Sequence, residues 1–333
     1  MFDSSPRLSR RELARLLPAL SLLATAARPA RAENAVWSMA TEYPSTTVSG
    51  EGISYFASRL ASETAAHIVV TPSYDAMAGM KSSEIVAAVR DGRLSAGCAF
   101  AGALGGIDPL FLLSSLPFVA ASEADARRLF DRARTLYALR FQRENQGLLY
   151  AAPWPASGLW SRKPIATPAD LAGLRIRVYD ATSLDVFTTA GARPVNLSFS
   201  ETMPRLGDGS LDAVLSSGDG GAGQKLWQHL PHFAEIGYAV PLSFATLNYN
   251  AYQRLSPNLR GAVDRAALAT QYDRWTSWQK RVEDNRNRLR ANNVVLTAAA
   301  EINPDLKAAL AKAASGAIAK WKQSVSPEAA ALI

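Results

Sequence analysis

Arg177 is the residue of this chain best suited to bind a charged ligand. It ends the segment Leu171–Arg177, which reads LAGLRIR and closes as a short apolar strand. An arginine at a strand end presents a planar guanidinium whose N–H groups can hold both oxygens of a carboxylate at once. The segment therefore predicts an anion-binding site with a carboxylate as its preferred partner.

Other motifs accompany this segment in a set order. Leu116-Pro117-Phe118 precedes it, and Phe199-Ser200-Glu201 and the turn Gly209–Ala213 follow it. In this order and spacing the motifs resemble those of the substrate-binding proteins of TRAP transporters (tripartite ATP-independent periplasmic transporters), the DctP-like family. The resemblance extends over residues 36–323.

The resemblance implies a fold, a function and a role for one residue. It implies a type II periplasmic-binding-protein fold, in which two α/β lobes close over a ligand in the cleft between them. It implies that Arg177 forms a salt bridge with the carboxylate of a small organic acid. It also implies a receptor without a cofactor, not an enzyme, whose partner is a TRAP permease of one small and one large membrane subunit.

Two departures from the family pattern bear on the ligand. Receptors for larger acids often have a second arginine about 20 positions before the first, and here that position is near Ser157. Leu215 and Ser216 replace the usual Glu and Asn, so the hydroxyl groups of a sugar acid would lose their partners. The sequence therefore favours a compact monocarboxylate, such as an aromatic acid or a 2-oxo or 2-hydroxy acid.

Further side chains are predicted to contact this ligand together with Arg177. The aromatic ones among them could instead belong to the core. The predicted residues are Tyr43, Tyr74, Trp154, Tyr179, Phe199, Ser217, Asp219 and Asn248, with Asp219 at the rim of the cleft.

The segment Gly218–Gly223 offers an alternative function. It reads GDGGAG, follows a predicted strand at 211–215 and precedes a predicted helix at 223–230, as a dinucleotide-binding loop would. Glu235 lies near the distance expected of a ribose-binding acid. This would suit an exported oxidoreductase, but no His–Asp pair is placed for proton transfer. We favour a role in which the loop brings backbone N–H groups to the ligand.

The residues that usually bind metals or act as nucleophiles form no pattern here. Cys98 is the only cysteine and lies in an apolar run, which favours a buried thiol. His67 is distant in sequence from His229 and His232, which flank Pro231. No metal site and no catalytic residue are therefore expected.

The N-terminus reads as an export signal. Arg10 and Arg11 form a twin-arginine pair, an apolar run from Leu16 to Ala27 follows, and Ala30-Arg31-Ala32 provides a small-x-small cleavage site. We expect residues 1–32 to direct the protein to the periplasm by the twin-arginine (Tat) route. The apolar run is too short to span a bilayer, so no stable membrane insertion is expected.

Removal of this signal changes the charge balance. The full chain has a formal net charge of +7, and residues 1–32 hold six arginines and two acids, which leaves +3. So small an excess does not predict a nucleic-acid partner. It is compatible with mild attraction of anions into a cleft, and we expect a monomer.

Strand and helix signals alternate along the rest of the chain, which predicts an α/β fold with two lobes. The first lobe is expected to comprise 33–155 and about 243–280. The second is expected to comprise 156–242 and about 281–333. One long helix, from 257 to about 291, is predicted to form a spine behind both lobes.

Overall fold

The structure, a computed structural model of the 333-residue chain, describes residues 35–120 and 122–333. The predicted signal peptide, with its twin-arginine pair, lies outside the described residues. The described part has an α/β architecture built on two sheets. None of its helices is long and apolar enough to cross a membrane.

The strands of the described residues form a five-stranded and a six-stranded sheet. The first sheet has the order β2-β1-β3-β10-β4, and the second has the order β11-β9-β5-β8-β6-β7. In chain order the strands are β1 (Ala35–Ala40), β2 (Ile68–Ser73), β3 (Ala96–Phe100), β4 (Gln146–Pro153), β5 (Ser157–Ser161), β6 (Arg175–Val178), β7 (Arg193–Asn196), β8 (Ala213–Ser217), β9 (His232–Ala234), β10 (Leu242–Asn248) and β11 (Val295–Thr297).

Helices accompany both sheets. In chain order they are α1 (Val48–Glu63), α2 (Ser82–Arg90), α3 (Glu123–Gln142), α4 (Ala181–Thr189), α5 (Phe199–Gly207), α6 (Gly218–Gly223), α7 (Tyr249–Gln253), α8 (Pro257–Thr276), α9 (Trp278–Ala291), α10 (Pro304–Ser324) and α11 (Pro327–Ala330). Short 3-10 helices lie at Ala101–Leu104, Pro109–Ser115, Pro168–Leu171 and Leu226–Gln228.

In each sheet one interior strand runs antiparallel to the others. Strand β10 runs antiparallel to β3 and β4, and β5 runs antiparallel to β8 and β9. Every residue of β3, β5, β8 and β10 is buried, as expected for strands covered on both faces. Each sheet is therefore the core of one lobe.

The chain crosses between the sheets near one point. Residues 154–156 join β4 to β5, and residues 235–241 join β9 back to β10. The two crossings are hydrogen-bonded to each other, since the Trp154 N–H donates to the Pro241 carbonyl at 2.9 Å. The indole N–H of Trp278 donates to the Trp154 carbonyl at 3.1 Å, which brings the start of α9 to the same place.

The predicted long helix from 257 to 291 is interrupted at Ser277. Helix α8 packs against α1 and β4 in the first lobe, whereas α9 packs against α6 and β11 in the second. The Thr276 hydroxyl donates to the Tyr272 carbonyl at 2.9 Å, a side-chain bond that often bends helices. The spine is therefore two helices that meet where the lobes meet. The lobe limits given above stay a prediction.

Candidate ligand-binding site

A small cavity lies between the two sheets, at the edge where their parallel strands end. Tyr43 follows β1 and Phe100 ends β3 in the first lobe. Tyr179 follows β6, Phe199 follows β7 and Ser217 ends β8 in the second lobe. Parallel strands end at a common edge, and in open α/β sheets this edge is the usual place for a ligand.

The antiparallel strands reach the same edge with their first residues. Ser157 begins β5 and Pro241 immediately precedes β10, and both line the cavity with Trp154 from the crossing. The cavity volume is about 20 Å³, which suits one or two water molecules. A ligand of several carbon atoms therefore enters only if the walls move apart.

Aromatic rings from both lobes form most of the wall. The ring of Tyr43 lies 4.8 Å from that of Trp154 and 6.1 Å from that of Phe199. Phe100 and Tyr179 meet edge to face at 5.2 Å. The wall is thus apolar and made of flat surfaces contributed by both lobes.

Arg177 is the cation of this wall, and its side chain is held firmly. It is only 3% exposed, its Nε donates to the Leu197 carbonyl at 2.8 Å and its Nη1 donates to the Leu215 carbonyl at 3.1 Å. The guanidinium carbon lies 4.5 Å from the centre of the Phe199 ring, close enough for cation–π attraction. Nη2 has no hydrogen-bond partner among the described residues. Desolvation lowers the pKa of Arg177, yet the group stays cationic at neutral pH.

The two tyrosines of the wall are neutral hydrogen-bonding groups. Burial raises the pKa of Tyr43 and of Tyr179 well above the usual value. The Tyr179 hydroxyl donates to Ser157 Oγ at 3.3 Å. The Trp154 indole N–H donates to Ser243 Oγ at 2.9 Å, which fixes the ring against the first lobe.

The structure brings six of the nine predicted site residues to the cavity. They are Tyr43, Trp154, Arg177, Tyr179, Phe199 and Ser217. The remaining cavity residues escaped prediction: Phe100, Ser157, Ser216, Gly220 and Pro241. Four of these five residues lie at or beside a strand end, which sequence alone does not assign to the cavity until the direction of each strand is known, and Gly220 lies in α6.

Asn248 and Tyr74 do not reach the cavity. Asn248 is at the far end of β10, where its amide donates to the Val89 carbonyl at 2.8 Å and its oxygen accepts from the Ala251 N–H at 3.0 Å. Tyr74 follows β2, the edge strand of the first sheet, and its hydroxyl lies 2.7 Å from Ser54 Oγ. Both side chains serve local structure in this arrangement.

Asp219 is buried rather than exposed at the cleft rim. It is 0% exposed, and its Oδ2 accepts from the N–H of Val48, the first residue of α1, at 2.8 Å. Its Oδ1 accepts from Arg281 at 2.5 Å and from Asn285 at 2.9 Å. The carboxylate thus ties the first lobe to α9 of the second.

The glycines of the 218–223 loop are explained by close packing. A Cβ on Gly221 would lie 2.2 Å from the Trp160 ring, and a Cβ on Gly223 would lie 2.5 Å from the Thr47 methyl group. The segment is itself helix α6, so the helix predicted at 223–230 is replaced by one that starts five residues earlier. Protein atoms thus occupy the close approach that a dinucleotide would need, and the oxidoreductase alternative gains no support.

The described residues offer no set of metal ligands. No three His, Cys, Asp or Glu side chains within 35–120 and 122–333 lie close enough to hold a metal ion. Burial raises the pKa of the Cys98 thiol to about 12, so this group is not a nucleophile at neutral pH.

Asp180 is a buried acid directly beneath the cavity wall. Its Oδ1 accepts from the Ser183 N–H at 2.7 Å and thereby caps α4. Its Oδ2, like the nearby hydroxyls of Ser115 and Tyr238, makes no hydrogen bond of good geometry within the described part of the chain. Desolvation raises the pKa of Asp180 from 3.8 to about 6.

This shift predicts a pH-dependent stability. The folded-state pKa of Asp180 lies above its unfolded value. The stability that Asp180 contributes is therefore fully present below pH 3.8 and is lost as the pH rises through 6, by an amount on the order of 3 kcal/mol. Asp180→Asn keeps the cap and removes the ionisation. Between pH 4 and 7 the free energy of unfolding of the natural protein should therefore fall relative to that of the variant. Denaturant unfolding at several pH values measures this, and parallel profiles would show that Asp180 does not titrate there.

Comparison with known proteins places the chain in a family. Residues 39–323 match the family model described as bacterial extracellular solute-binding protein, family 7. The chain belongs to this family. Its members are TRAP solute receptors rather than enzymes, so the resemblance seen in the motifs is confirmed.

Solved structures confirm the fold. One is DctP7, an extracytoplasmic solute receptor of Bordetella pertussis that binds pyroglutamic acid. It is 26% identical, with a TM-score of 0.84 over 89% of this chain and 97% of that chain. A TRAP solute-binding protein from a marine metagenome, specific for pyroglutamate, is also 26% identical, with a TM-score of 0.84 over 90% of this chain and 97% of that one.

A curated relative matches over a shorter stretch. It is the 2,3-diketo-L-gulonate-binding periplasmic protein YiaO of Escherichia coli, 29% identical over 135 residues. The match covers 39% of this chain and 40% of that protein. The chain is thus a TRAP-type solute receptor, similar to proteins described as binding small acids.

Proposed function

We propose that this receptor binds a compact monocarboxylate of about the size of pyroglutamate. The observation that carries the proposal is the position of Arg177, a buried guanidinium with an unused Nη2 in a cavity walled by aromatic rings from both lobes. The carboxylate would lie on this guanidinium, and the body of the ligand would lie between the rings of Tyr43, Trp154 and Phe199. Ser217 would line the second-lobe side.

The two neighbours at 26% identity support a small ligand. Both are described as binding pyroglutamate, a single carboxylate on a five-membered ring. Position 157 is a serine and position 215 a leucine, so Arg177 is the one cation among the described residues that line the cavity, and the usual Glu and Asn partners of sugar hydroxyls are replaced. These features favour an acid with one charge and a short, flat body.

The mechanism follows from the crossings. The lobes separate by bending at 154–156, at 235–241 and at Ser277, and the acid enters and docks on Arg177. Closure then buries the ligand and re-forms the contact of Asp219 with Val48 across the lobes. The ligand's contacts with both lobes stabilise the closed form. The small and large subunits of the TRAP permease would take up the acid from that form, with no covalent change to it.

A thermal-shift screen tests the ligand class. Residues 33–333 would be heated with a library of carboxylic acids, from pyroglutamate and other small ring or aromatic acids to uronates and aldonates. Small monocarboxylates are expected to raise the melting temperature, because a ligand that binds only the folded state stabilises it. A response limited to sugar acids would contradict the proposed ligand class, and no response to any acid would contradict carboxylate binding.

We also propose export by the twin-arginine route. Arg10 and Arg11 are the residues that would carry the signal, and replacing both by lysine is expected to leave the precursor in the cytoplasm. Fractionation of cells that express each form measures this. Replacing Arg28 and Arg31 by lysine, also within residues 1–32, is the matched control. Undiminished periplasmic protein from the first variant would show that the pair is incidental.

A further inference from the structure

Arg177 also faces a second, larger space on the other side of the aromatic wall. This interlobe cleft has a volume of about 500 Å³ and shares Tyr43, Phe100, Arg177 and Tyr179 with the small cavity. The two spaces are therefore parts of one site that meet at the guanidinium. A ligand held by Arg177 can reach into both.

Glu42 is the buried acid of this cleft. It precedes Tyr43 just after β1 and is only 8% exposed. Its Oε2 accepts from the N–H of Ser82, the first residue of α2, at 2.5 Å. The hydroxyls of Tyr43 and Ser82 also lie close to this carboxylate, but Oε1 accepts no hydrogen bond of good geometry in the described part of the chain.

Glu42 and Arg177 approach the same space from opposite lobes without pairing with each other. Desolvation raises the pKa of Glu42 above its usual value, although the Ser82 N–H and the charge of Arg177 both favour the ionised carboxylate. No ion pair within the described residues joins Glu42 to Arg177, whose hydrogen bonds go to the Leu197 and Leu215 carbonyls. Each group thus keeps hydrogen-bonding capacity, an acceptor on one lobe and a donor on the other.

A buried carboxylate beside an anion site has a consequence for the ligand. It repels the ligand's own carboxylate, and its desolvation is unfavourable unless a donor reaches it. A ligand with an N–H or O–H group next to its carboxylate supplies that donor and bridges the two lobes. A ligand with only a carbonyl oxygen at that position places one hydrogen-bond acceptor against another, the carboxylate of Glu42.

We propose that Glu42 is a specificity-determining residue, which selects acids that carry an N–H or O–H donor beside the carboxylate. The expected ligands are 2-hydroxy acids and lactam acids, and 2-oxo acids are disfavoured. This inference rests on the proposed function, since it requires the carboxylate to lie on Arg177.

Matched ligand pairs test it by calorimetry. One pair is pyroglutamate and its lactone counterpart, 5-oxotetrahydrofuran-2-carboxylate, which replaces the ring N–H by oxygen. The other is mandelate and phenylglyoxylate, an aromatic 2-hydroxy acid and its 2-oxo form. In each pair that binds, the member with the donor should bind about 10- to 150-fold more tightly, the range for a hydrogen bond to a charged group.

Variants then assign the preference to one residue. Glu42→Gln keeps an acceptor for the Ser82 N–H but removes the charge, so the preference should shrink severalfold or more. Glu84→Gln is the matched control, because Glu84 also accepts a backbone N–H at the start of α2, from Lys81 at 2.9 Å, but lines neither space of the site. The preference of this control variant for the ligand with the donor should equal that of the natural protein.

The outcomes separate this inference from the function on which it rests. Equal binding of both members of a pair by the natural protein overturns the role of Glu42 while carboxylate binding stands, and this result needs no variant. An unchanged preference in Glu42→Gln overturns it as well. If the natural protein binds none of the acids tested here or in the screen, the proposed function fails and this inference fails with it.

Discussion

Arg177→Ala is expected to weaken ligand binding by roughly 30-fold to several thousandfold. The guanidinium is buried and held by the carbonyls of Leu197 and Leu215, so it meets the ligand in a fixed orientation. Truncating one partner of a buried charge pair costs about 2–5 kcal/mol, which converts to that range. Arg177→Lys should recover little, because an ammonium has no planar fork. Calorimetry with an acid found in the screen measures both.

Arg175→Ala is the matched control. Arg175 lies two residues earlier on β6, at the outer end of the strand, where its side chain is 47% exposed and pairs with Asp212. It contributes to neither space of the site, so its removal should leave affinity within about twofold. Normal binding by Arg177→Ala would place the carboxylate elsewhere and contradict the proposed site.

Asp219→Ala is expected to give the largest loss of stability. The buried carboxylate accepts from the Val48 N–H, from Arg281 and from Asn285, and Arg281 is itself only 11% exposed. Removing it leaves the Val48 N–H without this partner and leaves the half-exposed Glu51 as the ion-pair partner of Arg281. Breaking a buried ion pair in this way costs about 3–5 kcal/mol in the free energy of unfolding. Denaturant unfolding of the ligand-free protein measures the loss.

Two further variants show whether burial is the cause. Asp212→Ala removes an acid whose ion pair with Arg175 is partly exposed, so it should cost no more than about 1 kcal/mol. Asp219→Asn keeps an acceptor without the charge and should fall between the two alanine variants. A loss for Asp219→Ala no larger than for Asp212→Ala would contradict the account of Asp219 as the tie between the lobes.

Elements with strong local signals could be predicted from the sequence. The pattern of residues 82–90 and the Asp91-Gly92 ending predict a helix that coincides with α2, because both signals are local. Ser198 and Glu201 form a capping box that starts α5 where the Phe199-Ser200-Glu201 motif places it. Thr167 similarly caps the short 3-10 helix that leads into β6.

Elements that depend on distant partners were predicted poorly. The segment Gly218–Gly223 has low intrinsic helix propensity, yet it forms α6 because Trp160 and Thr47 pack onto glycines where no side chain fits. The sequence of 235–240 predicts a strand, but the strand is β9 at 232–234 and the later residues form a crossing between the sheets. Sequence spacing does not reveal such contacts.

The same limit explains the incomplete prediction of the site. Asn248 ends a strand, as a cleft residue should, but β10 is antiparallel, so its last residue is the one farthest from the cleft. Tyr74 also follows a strand, but β2 is at the edge of its sheet. Asp219 was predicted to lie at the rim of the cleft, and only the fold reveals the partners that bury it.

The central claim is that Arg177 binds the carboxylate of a compact acid between the lobes. Calorimetry of the natural protein with an acid and its primary amide tests it most directly, for example pyroglutamate and pyroglutamamide. The two differ only in the group that Arg177 is proposed to hold. The account predicts that the acid binds and that the amide binds at least about 30-fold more weakly, the loss expected when a buried charge pair loses one partner. Equal affinity for the acid and the amide would contradict it.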